Sequence, residues 1–497
     1  MNQPSSKSSL PILISVFFFW GFVAASNDIL IPVFKEKLNL EQWQSQLISV
    51  AFYVAYTVGS LIYFLISKLS GGDILNKIGY KNGIAFGLVF SALGTLLFYP
   101  AAMTSSFGLM LSGLFVVGLG FSLQQTAANP LAINIGDPKK GSQRLSLAGG
   151  INNIGTTIGP VIVSLAIFGS LKAGEKLQNL ESVKTPYLIL GAAFLIVAVL
   201  FKFSSLPNKI EHVSEESDSG SAKSSQRKSA FSYPQLWLGM IGIFVYVGVE
   251  VSTASNLPEF MRQHLNTSTD QVAPYVSLFW ASLMIGRWSG AVGAFDLKKG
   301  TKQMLRFFLP YAAFSVFLFV NFLANHDLTP FYLYFFVIIA IIIADILSKG
   351  NPARQLMIFS ALGITALAIG IFADGMVSVY AFISVGLFCS TLWPCIFTLA
   401  IAGLGKFTNK GSSFLIMMIM GGGLISWLQG VLAKDNLLGI QWSYLTGIAC
   451  FAYLAFYGWR AKQILKTQGI DYDAIIPEKI ILASPEAKQA GVLASEI

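Results

Sequence analysis

Runs of about 20 apolar residues recur from residue 11 to residue 461, and they constrain the fold more than any other feature of this chain. Inside a bilayer no water binds the backbone, so each run must satisfy its own N–H and C=O groups as an α-helix. Only 11% of the residues are charged, against about 25% in soluble domains. No alternating strand pattern indicates a barrel. The sequence therefore predicts an all-α polytopic membrane protein.

Fourteen of these runs are predicted to be transmembrane helices, in a group of six and a group of eight. A polar stretch rich in Ser, Lys and Glu separates the groups, and such a composition cannot bury a core. The predicted spans are 11–34, 44–67, 82–102, 107–133, 145–170 and 186–206, then 235–260, 271–295, 303–324, 331–348, 354–373, 377–404, 411–433 and 442–461. The predicted domains are an N-terminal six-helix half (1–206), a cytoplasmic linker (207–234), a C-terminal half (235–461) and a polar cytoplasmic tail (462–497).

The distribution of positive charge predicts the orientation. Most of the 33 Lys and Arg residues fall in connections that are cytoplasmic if the N-terminus is inside. This asymmetry favours an inner-membrane protein with both termini in the cytoplasm. The same placement explains the net charge of +9 without a nucleic-acid partner.

Enzymatic chemistry is not indicated by any motif. The chain has no P-loop, no HExxH and no GxSxG, so an ATP-driven pump or a membrane hydrolase would lack its minimum parts. The three cysteines lie in apolar runs and the three histidines have no ligand spacing. We therefore expect no enzyme activity, no cofactor and no metal.

Two interrupted helices carry carboxylates at matching places in the two groups. The first span contains Asn27, Asp28 and then Pro32, and an intramembrane carboxylate costs about 2.5–3.5 kcal/mol on insertion scales. The seventh repeats the pattern in YVGVEVSTASNLP, with Glu250 at its centre. Such symmetry is typical of transporters with a site near the midplane. The alternatives are a wetted helix end for Asp28 and the general abundance of Gly and Pro in membrane helices.

Side-chain amides cluster in the fourth and fifth spans. Gln124, Gln125 and Asn129 lie within two turns, and Asn152 and Asn153 follow in a glycine-rich segment. Amides offer donors and acceptors together, which suits a neutral hydroxylated ligand. The alternative is hydrogen bonding between helices.

Three further residues are candidates for the transport path. Glu250 is predicted to couple transport to a cation, alongside Asp28, or else to form an ion pair with Arg287. Arg287 is predicted to be structural, because a guanidinium never deprotonates and must find partners. Trp393 precedes Pro394 and could stack on a sugar ring or pack in the core.

Several motifs resemble the sugar branch of the major facilitator superfamily, in particular its fucose/proton symporter and glucose/galactose transporter group. They are QTAANP, RLSLAGGINNIGTTIGP, YVGVEVS, GRWSG and LFCSTLWPCIFTLAIAGLG. The resemblance implies two six-helix halves that rock about a central sugar site. It implies coupling and sugar binding for Asp28 and a sugar contact for Asn152. Gln125 replaces a proton-carrying glutamate of the fucose symporters, and Gly149 replaces a common glutamine.

Residues 302–352 do not fit that pattern and are predicted to be an inserted helical hairpin. Both of its helices are apolar nearly all round. Because such a helix cannot line a wet cavity, we expect the hairpin outside the C-terminal half, away from the sugar path, where it could mediate homo-oligomer contacts.

The function expected from these features is import of a monosaccharide by cation symport, with the proton favoured over sodium. Glucose, galactose, fucose and amino sugars are all compatible. A sodium-coupled symporter, a non-transporting membrane sensor and a drug exporter on the same scaffold are the alternatives. The dense amides argue against the last two.

Overall fold

The computed structural model describes residues 10–22, 42–135, 140–168, 184–204, 229–267, 269–295, 297–434 and 436–473. The candidate residues Asn27 and Asp28 lie outside the described residues, as do most of the predicted linker and the end of the tail.

Fourteen long helices make up most of the described chain, in agreement with the predicted number. They are α1 (Leu10–Phe22), α2 (Gln42–Leu69), α3 (Tyr80–Leu96, continued by Phe98–Thr104), α4 (Phe107–Asn134), α5 (Gly141–Phe168), α6 (Lys184–Phe203), α7 (Pro234–Leu265), α8 (Thr269–Ala291), α9 (Lys299–Leu323), α10 (Tyr334–Ser348), α11 (Pro352–Phe372), α12 (Gly375–Cys389 and Leu392–Ile401), α13 (Gly405–Leu432, with two 3-10 turns) and α14 (Leu445–Thr467). Nine of these are long and apolar enough to cross a membrane, and the others are shorter or more polar within the described residues.

The two halves repeat one packing scheme, which confirms the predicted architecture. In the first half α3 packs against α4 and α6, and α2 packs against α4. In the second half α11 packs against α12 and α14, and α8 packs against α12. Helices α9 and α10 have no counterpart in the first half. They are the inserted hairpin, and α9 packs along α8.

Glycines allow the closest helix contacts at equivalent places in the two halves. A Cβ on Gly155 of α5 would lie 2.2 Å from the carbonyl oxygen of Phe18 in α1. A Cβ on Gly421 of α13 would lie 2.1 Å from the carbonyl oxygen of Phe244 in α7. Small residues let helix backbones approach in a membrane, where apolar side chains alone give no preference for protein over lipid. These contacts fix α1 and α7 beside the space between the halves.

The hairpin is held at one end by a buried ion pair. Arg306 Nε of α9 lies 3.3 Å from Asp345 Oδ2 of α10, and Gln355 of α11 donates to the other carboxylate oxygen at 3.4 Å. Its outer faces expose large apolar side chains, among them Phe319 and Phe336, as expected of a surface that faces lipid. The suggested oligomer contact stays a prediction.

The last helix is longer than predicted. It continues to Thr467, beyond the expected end at residue 461, and Leu465 in this extension is fully buried in the bundle. Beyond it, Asp473 accepts a hydrogen bond from Arg354 Nη2 at 3.0 Å and pairs with Lys462. The start of the predicted tail is therefore part of the folded half.

The halves touch each other on the side where α6 ends and α7 begins, which we call the linker side. Here Asn409 of α13 accepts a hydrogen bond from the Tyr80 hydroxyl and donates to Asn76 Oδ1 at 3.0 Å. The Ser412 hydroxyl donates to the carbonyl of Thr126 at 3.1 Å. That carbonyl is free because Pro130, four residues later, has no N–H. The opposite side, where α7 ends and α8 begins, is called the mouth side.

Candidate functional site

A cavity of about 1610 Å³ lies between the halves and reaches the mouth side. Its wall follows α7 from Tyr246, near the middle of the helix, to Arg262 near its end. Thr267 and Lys434, which follow the ends of α7 and α13, also line it. On the linker side the contacts of Asn409 close it. Among the described residues, the cavity therefore opens toward the mouth side and is closed toward the linker side.

Seven of the residues predicted from the sequence line this one cavity. They come from both halves and from five helices, namely Gln125, Asn129, Asn152, Asn153, Glu250, Arg287 and Trp393. The structure thus brings together residues that are up to 268 positions apart in the chain, Gln125 and Trp393 among them. Their roles in binding and coupling stay predictions.

The prediction that Gln124 contacts substrate requires correction. Its side chain is fully buried and does not line the cavity. Its Oε1 accepts a hydrogen bond from the Trp20 indole, and its Nε2 donates to Ser91 Oγ at 3.0 Å. Successive residues on a helix point about 100° apart. Gln125 therefore faces the cavity, while Gln124 joins α4 to α1 and α3.

Two amide groups in the cavity wall have donors without a partner. The Nδ2 atoms of Asn129 and Asn153 are buried and make no hydrogen bond to the described residues. Asn129 is 1% exposed and Asn153 is 4% exposed. An unpaired buried donor costs about 1–3 kcal/mol, so both groups are suited to donate to a bound ligand.

Two other amides in the wall are partly used by the protein. Gln125 Nε2 donates to the Tyr56 hydroxyl at 3.0 Å, and Asn152 Nδ2 donates to the carbonyl of Phe17 at 2.8 Å. These bonds fix the orientation of both side chains. Each amide then directs its oxygen, an acceptor, away from the bonded partner.

The guanidinium of Arg287 joins the two halves at the centre of the cavity. Its Nη1 donates to Asn153 Oδ1 at 2.9 Å, and its Nε donates to the carbonyl of Ser390 at 2.9 Å. The Ser390 carbonyl is free of a helix hydrogen bond because Pro394, four residues later, has no N–H, as Pro130 has none for the Thr126 carbonyl in α4. The break in α12 thus supplies the acceptor that positions the guanidinium of Arg287 in α8.

Glu250 and Arg287 do not form the direct ion pair considered above. The hydroxyl of Tyr246 lies between them: it donates to Glu250 Oε2 and accepts from Arg287 Nη2 at 3.5 Å. Tyr246 lines the cavity and was not among the residues predicted from the sequence. It lies one turn before Glu250, and this spacing of four places two side chains on one helix face.

Gly149 explains how Arg287 reaches the first half. A Cβ at this position would lie 3.1 Å from Arg287 Cδ and 3.3 Å from its Nε. Any longer side chain would occupy the space of the guanidinium.

Aromatic rings supply flat apolar surfaces in the same wall. Trp393 is half-buried, and its ring centroid lies 6.2 Å from that of Tyr246. Trp20, Tyr56 and Trp280 also line the cavity. Such faces offer stacking platforms for the apolar side of a sugar ring.

The prediction that the hairpin lies away from the cavity is wrong at one end. Val320 and Asn321 of α9, with Ala324 and His326 just after it, line the cavity near its mouth. The apolar pattern describes most of α9 but not its last turn, where it packs beside α8. The other end of the hairpin lies far from the cavity, at the Arg306–Asp345 pair.

Comparisons with known proteins agree with this architecture. The sequence pattern of the Major Facilitator Superfamily matches residues 12–348. The glucose/galactose transporter of Brucella abortus biovar 1 (strain 9-941) is 33% identical over 92% of this chain and 95% of its own. The L-fucose-proton symporter of Escherichia coli (strain K12) is 27% identical over 90% of this chain and 91% of its own.

A solved structure extends this similarity to three dimensions. The crystal structure of a major facilitator superfamily transporter, FucP, in the outward conformation superposes with a TM-score of 0.67 at 26% identity. The superposition covers 91% of this chain and 98% of that one.

Proposed function

Because the chain belongs to the major facilitator superfamily, it is a membrane transporter and not an enzyme, and we propose that it imports a monosaccharide together with a proton. The relatives are named as transporters of glucose and galactose or of L-fucose. A hexose of this kind is the proposed substrate class.

One observation carries the proposal of a sugar: the buried, unpartnered amide donors of Asn129 and Asn153 in the cavity wall. A sugar hydroxyl can accept from such a donor and can also donate to an amide oxygen. Gln125, Asn152 and the face of Trp393 would complete the contacts. A drug-export cavity would gain nothing from buried amide donors without partners. The contribution predicted for Asn27 belongs to the same proposal.

We propose Glu250 as the residue that carries the proton, with Asp28 as the second candidate. Glu250 is bonded to a neutral phenol and not to a cation, so it can change its protonation state without breaking an ion pair. Tyr246 connects Glu250 to Arg287, so a change in the charge of Glu250 would alter the hydrogen bonds of Arg287. Arg287 in turn contacts Asn153 of the other half. This path would link proton binding to sugar binding and to the contact between the halves.

We propose that the mouth side faces the outside of the cell. The charge asymmetry of the connections supports this orientation, with both termini in the cytoplasm. The cavity would then be in its outward-facing state, and import would require the mouth to close and the contacts of Asn409 to break. Helix α5 of the first half packs along α8 of the second half. Rocking of the two halves about this contact would perform the exchange.

The experiment is uptake of labelled D-glucose, D-galactose and L-fucose into vesicles, with pH and sodium gradients imposed separately. We expect accumulation with an inward proton gradient. Glu250→Gln should abolish accumulation and retain exchange of labelled for unlabelled sugar. The control is Glu259→Gln, because Glu259 also lines the cavity but pairs with Arg262 near its mouth. Accumulation by a sodium gradient alone would refute proton coupling, and uptake of none of these sugars would refute the substrate class.

A further inference from the structure

We call the cavity residues around Arg287 the deep site; they are Gln125, Asn129, Asn152, Asn153, Glu250 and Trp393. The end of the inserted hairpin contains a polar pair that the deep site does not use. Asn321 is 3% exposed near the end of the apolar helix α9. Its Nδ2 donates to the carbonyl of Phe317 at 3.0 Å and to Ser277 Oγ at 3.4 Å. Its Oδ1 lies 2.8 Å from Nδ1 of His326. A buried amide is costly unless it is bonded, so its polar groups hold the imidazole and the neighbouring helix in place.

This contact determines which nitrogen of His326 is available. Because Asn321 Oδ1 is an acceptor, Nδ1 carries the hydrogen, and Nε2 of the neutral ring keeps its lone pair. Burial lowers the pKa of His326 below its ordinary value, which favours the neutral ring at pH 7. Nε2 has no hydrogen-bond partner among the described residues, and His326 lines the cavity. A fixed acceptor therefore lies at the mouth.

Helix α8 adds an aromatic face and a hydroxyl beside it. Ser277 and Trp280 both line the cavity, and their spacing of three residues places them on one face of α8. Ser277 is the residue to which Asn321 donates, so the hairpin pair and this face adjoin. Trp280 is half-buried and packs edge-on against Phe279, with ring centroids 5.6 Å apart. An acceptor, a hydroxyl and an aromatic face together form the chemistry of a sugar site.

Ser277 and Trp280 lie closer to the mouth side than the deep site does. Trp280 precedes Arg287 by seven residues and Ser277 precedes it by ten on the same helix, which corresponds to about 10 and 15 Å at 1.5 Å per residue. One hexose ring is too small to touch both levels. The two groups would therefore bind separate rings.

We infer that the hairpin and α8 form an outer sugar-binding site at the mouth, in which a hexose lies on Trp280 and donates a hydroxyl to Nε2 of His326. The hydroxyl of Ser277 is the second polar contact. The inference rests on the proposed sugar transport. The outer site would capture sugar before it reaches the deep site, and it would exist only because the hairpin is present.

The test compares variants of the full-length protein in vesicles, with labelled D-glucose and D-galactose as probes. His326→Ala should raise KM about 2- to 12-fold, the range for one hydrogen bond, with the maximal rate unchanged because the deep site is intact. His326→Gln, which can restore an acceptor, should recover part of the loss. His264→Ala is the matched control, since His264 is also near the mouth but stacks on Phe260 and does not line the cavity.

Equilibrium binding to the purified protein gives a second, independent measurement. We expect two bound hexoses per chain in the wild type and one in Trp280→Ala. If His326→Ala and Trp280→Ala transport with unchanged KM and the wild type binds one hexose, the outer site is refuted while sugar transport stands. If the wild type transports neither hexose, both proposals are refuted.

Discussion

The closed linker side depends on one side chain whose removal has a calculable effect. Asn409 accepts from the Tyr80 hydroxyl and donates to Asn76 Oδ1 at 3.0 Å, so it joins the second half to two positions of the first. Asn409 and Tyr80 are each about 1% exposed. The substitution Asn409→Ala removes both bonds and leaves the Tyr80 hydroxyl without this partner.

The size of the effect follows from the state in which the bonds exist. Two neutral hydrogen bonds contribute about 0.5–1.5 kcal/mol each, or about 1–3 kcal/mol together. When the halves separate on the linker side, water replaces both bonds. Asn409→Ala therefore removes the full stabilisation by these two bonds from the closed state only. The equilibrium constant for opening the linker side should rise about 5- to 150-fold.

The rate of cysteine labelling measures this equilibrium. Ser60 is fully buried on α2, and its carbonyl accepts from the Ser413 hydroxyl of the other half at 3.2 Å. A thiol from Ser60→Cys should react with a maleimide only when the linker side opens. The background from the three native cysteines, all buried, is measured without Ser60→Cys. We expect Asn409→Ala to accelerate labelling by the same 5- to 150-fold.

The matched control is Asn82→Ala. Asn82 Nδ2 donates to the carbonyl of Ile78 within the first half at 2.6 Å, so its loss removes a hydrogen bond without touching the interface. An equal acceleration in this variant would mean that general destabilisation is being measured. An unchanged labelling rate in Asn409→Ala would refute the assignment of Asn409 as a contact that holds the linker side closed.

Three further predictions follow from other contacts. Tyr246→Phe should abolish proton-driven accumulation while sparing sugar exchange, because it removes the hydroxyl bonded to Glu250; equal loss of both activities would contradict this. Gly155→Val should prevent stable assembly, since even a Cβ would lie 2.2 Å from the Phe18 carbonyl oxygen, and a normal melting temperature would contradict it. Two basic side chains hold the pKa of Asp473 below its ordinary value, so their contact stabilises the fold near neutral pH and is lost as pH falls below about 4. Asp473→Asn should therefore cost only about 0.5–1 kcal/mol at pH 7 and less at pH 3, as measured by thermal unfolding.

The sequence alone was sufficient for the features that depend on local composition. The fourteen helices, the repeated halves and the inserted hairpin follow from the length and apolarity of each run, because lipid leaves the backbone no other choice. The amides of α4 and α5 and the carboxylate of Glu250 could also be identified as candidates from the sequence. Polar groups are costly in such helices and therefore stand out.

Only the tertiary structure decided how those residues are used. Gln124 and Gln125 are adjacent and chemically identical, and only the packing of α1 and α3 against α4 turns one inward and leaves the other in the cavity. The partners of Arg287 depend on a carbonyl released in α12 and on the missing side chain of Gly149 in α5.

The hairpin shows most clearly which features follow from the sequence and which depend on helix packing. Its apolar composition predicts two helices in lipid, and most of its surface has that character. The side on which its last turn lies depends on how α9 packs along α8, a contact between helices that no periodicity encodes. Asn321 and His326 therefore look like isolated polar residues in the sequence and become part of the cavity wall only in the folded protein.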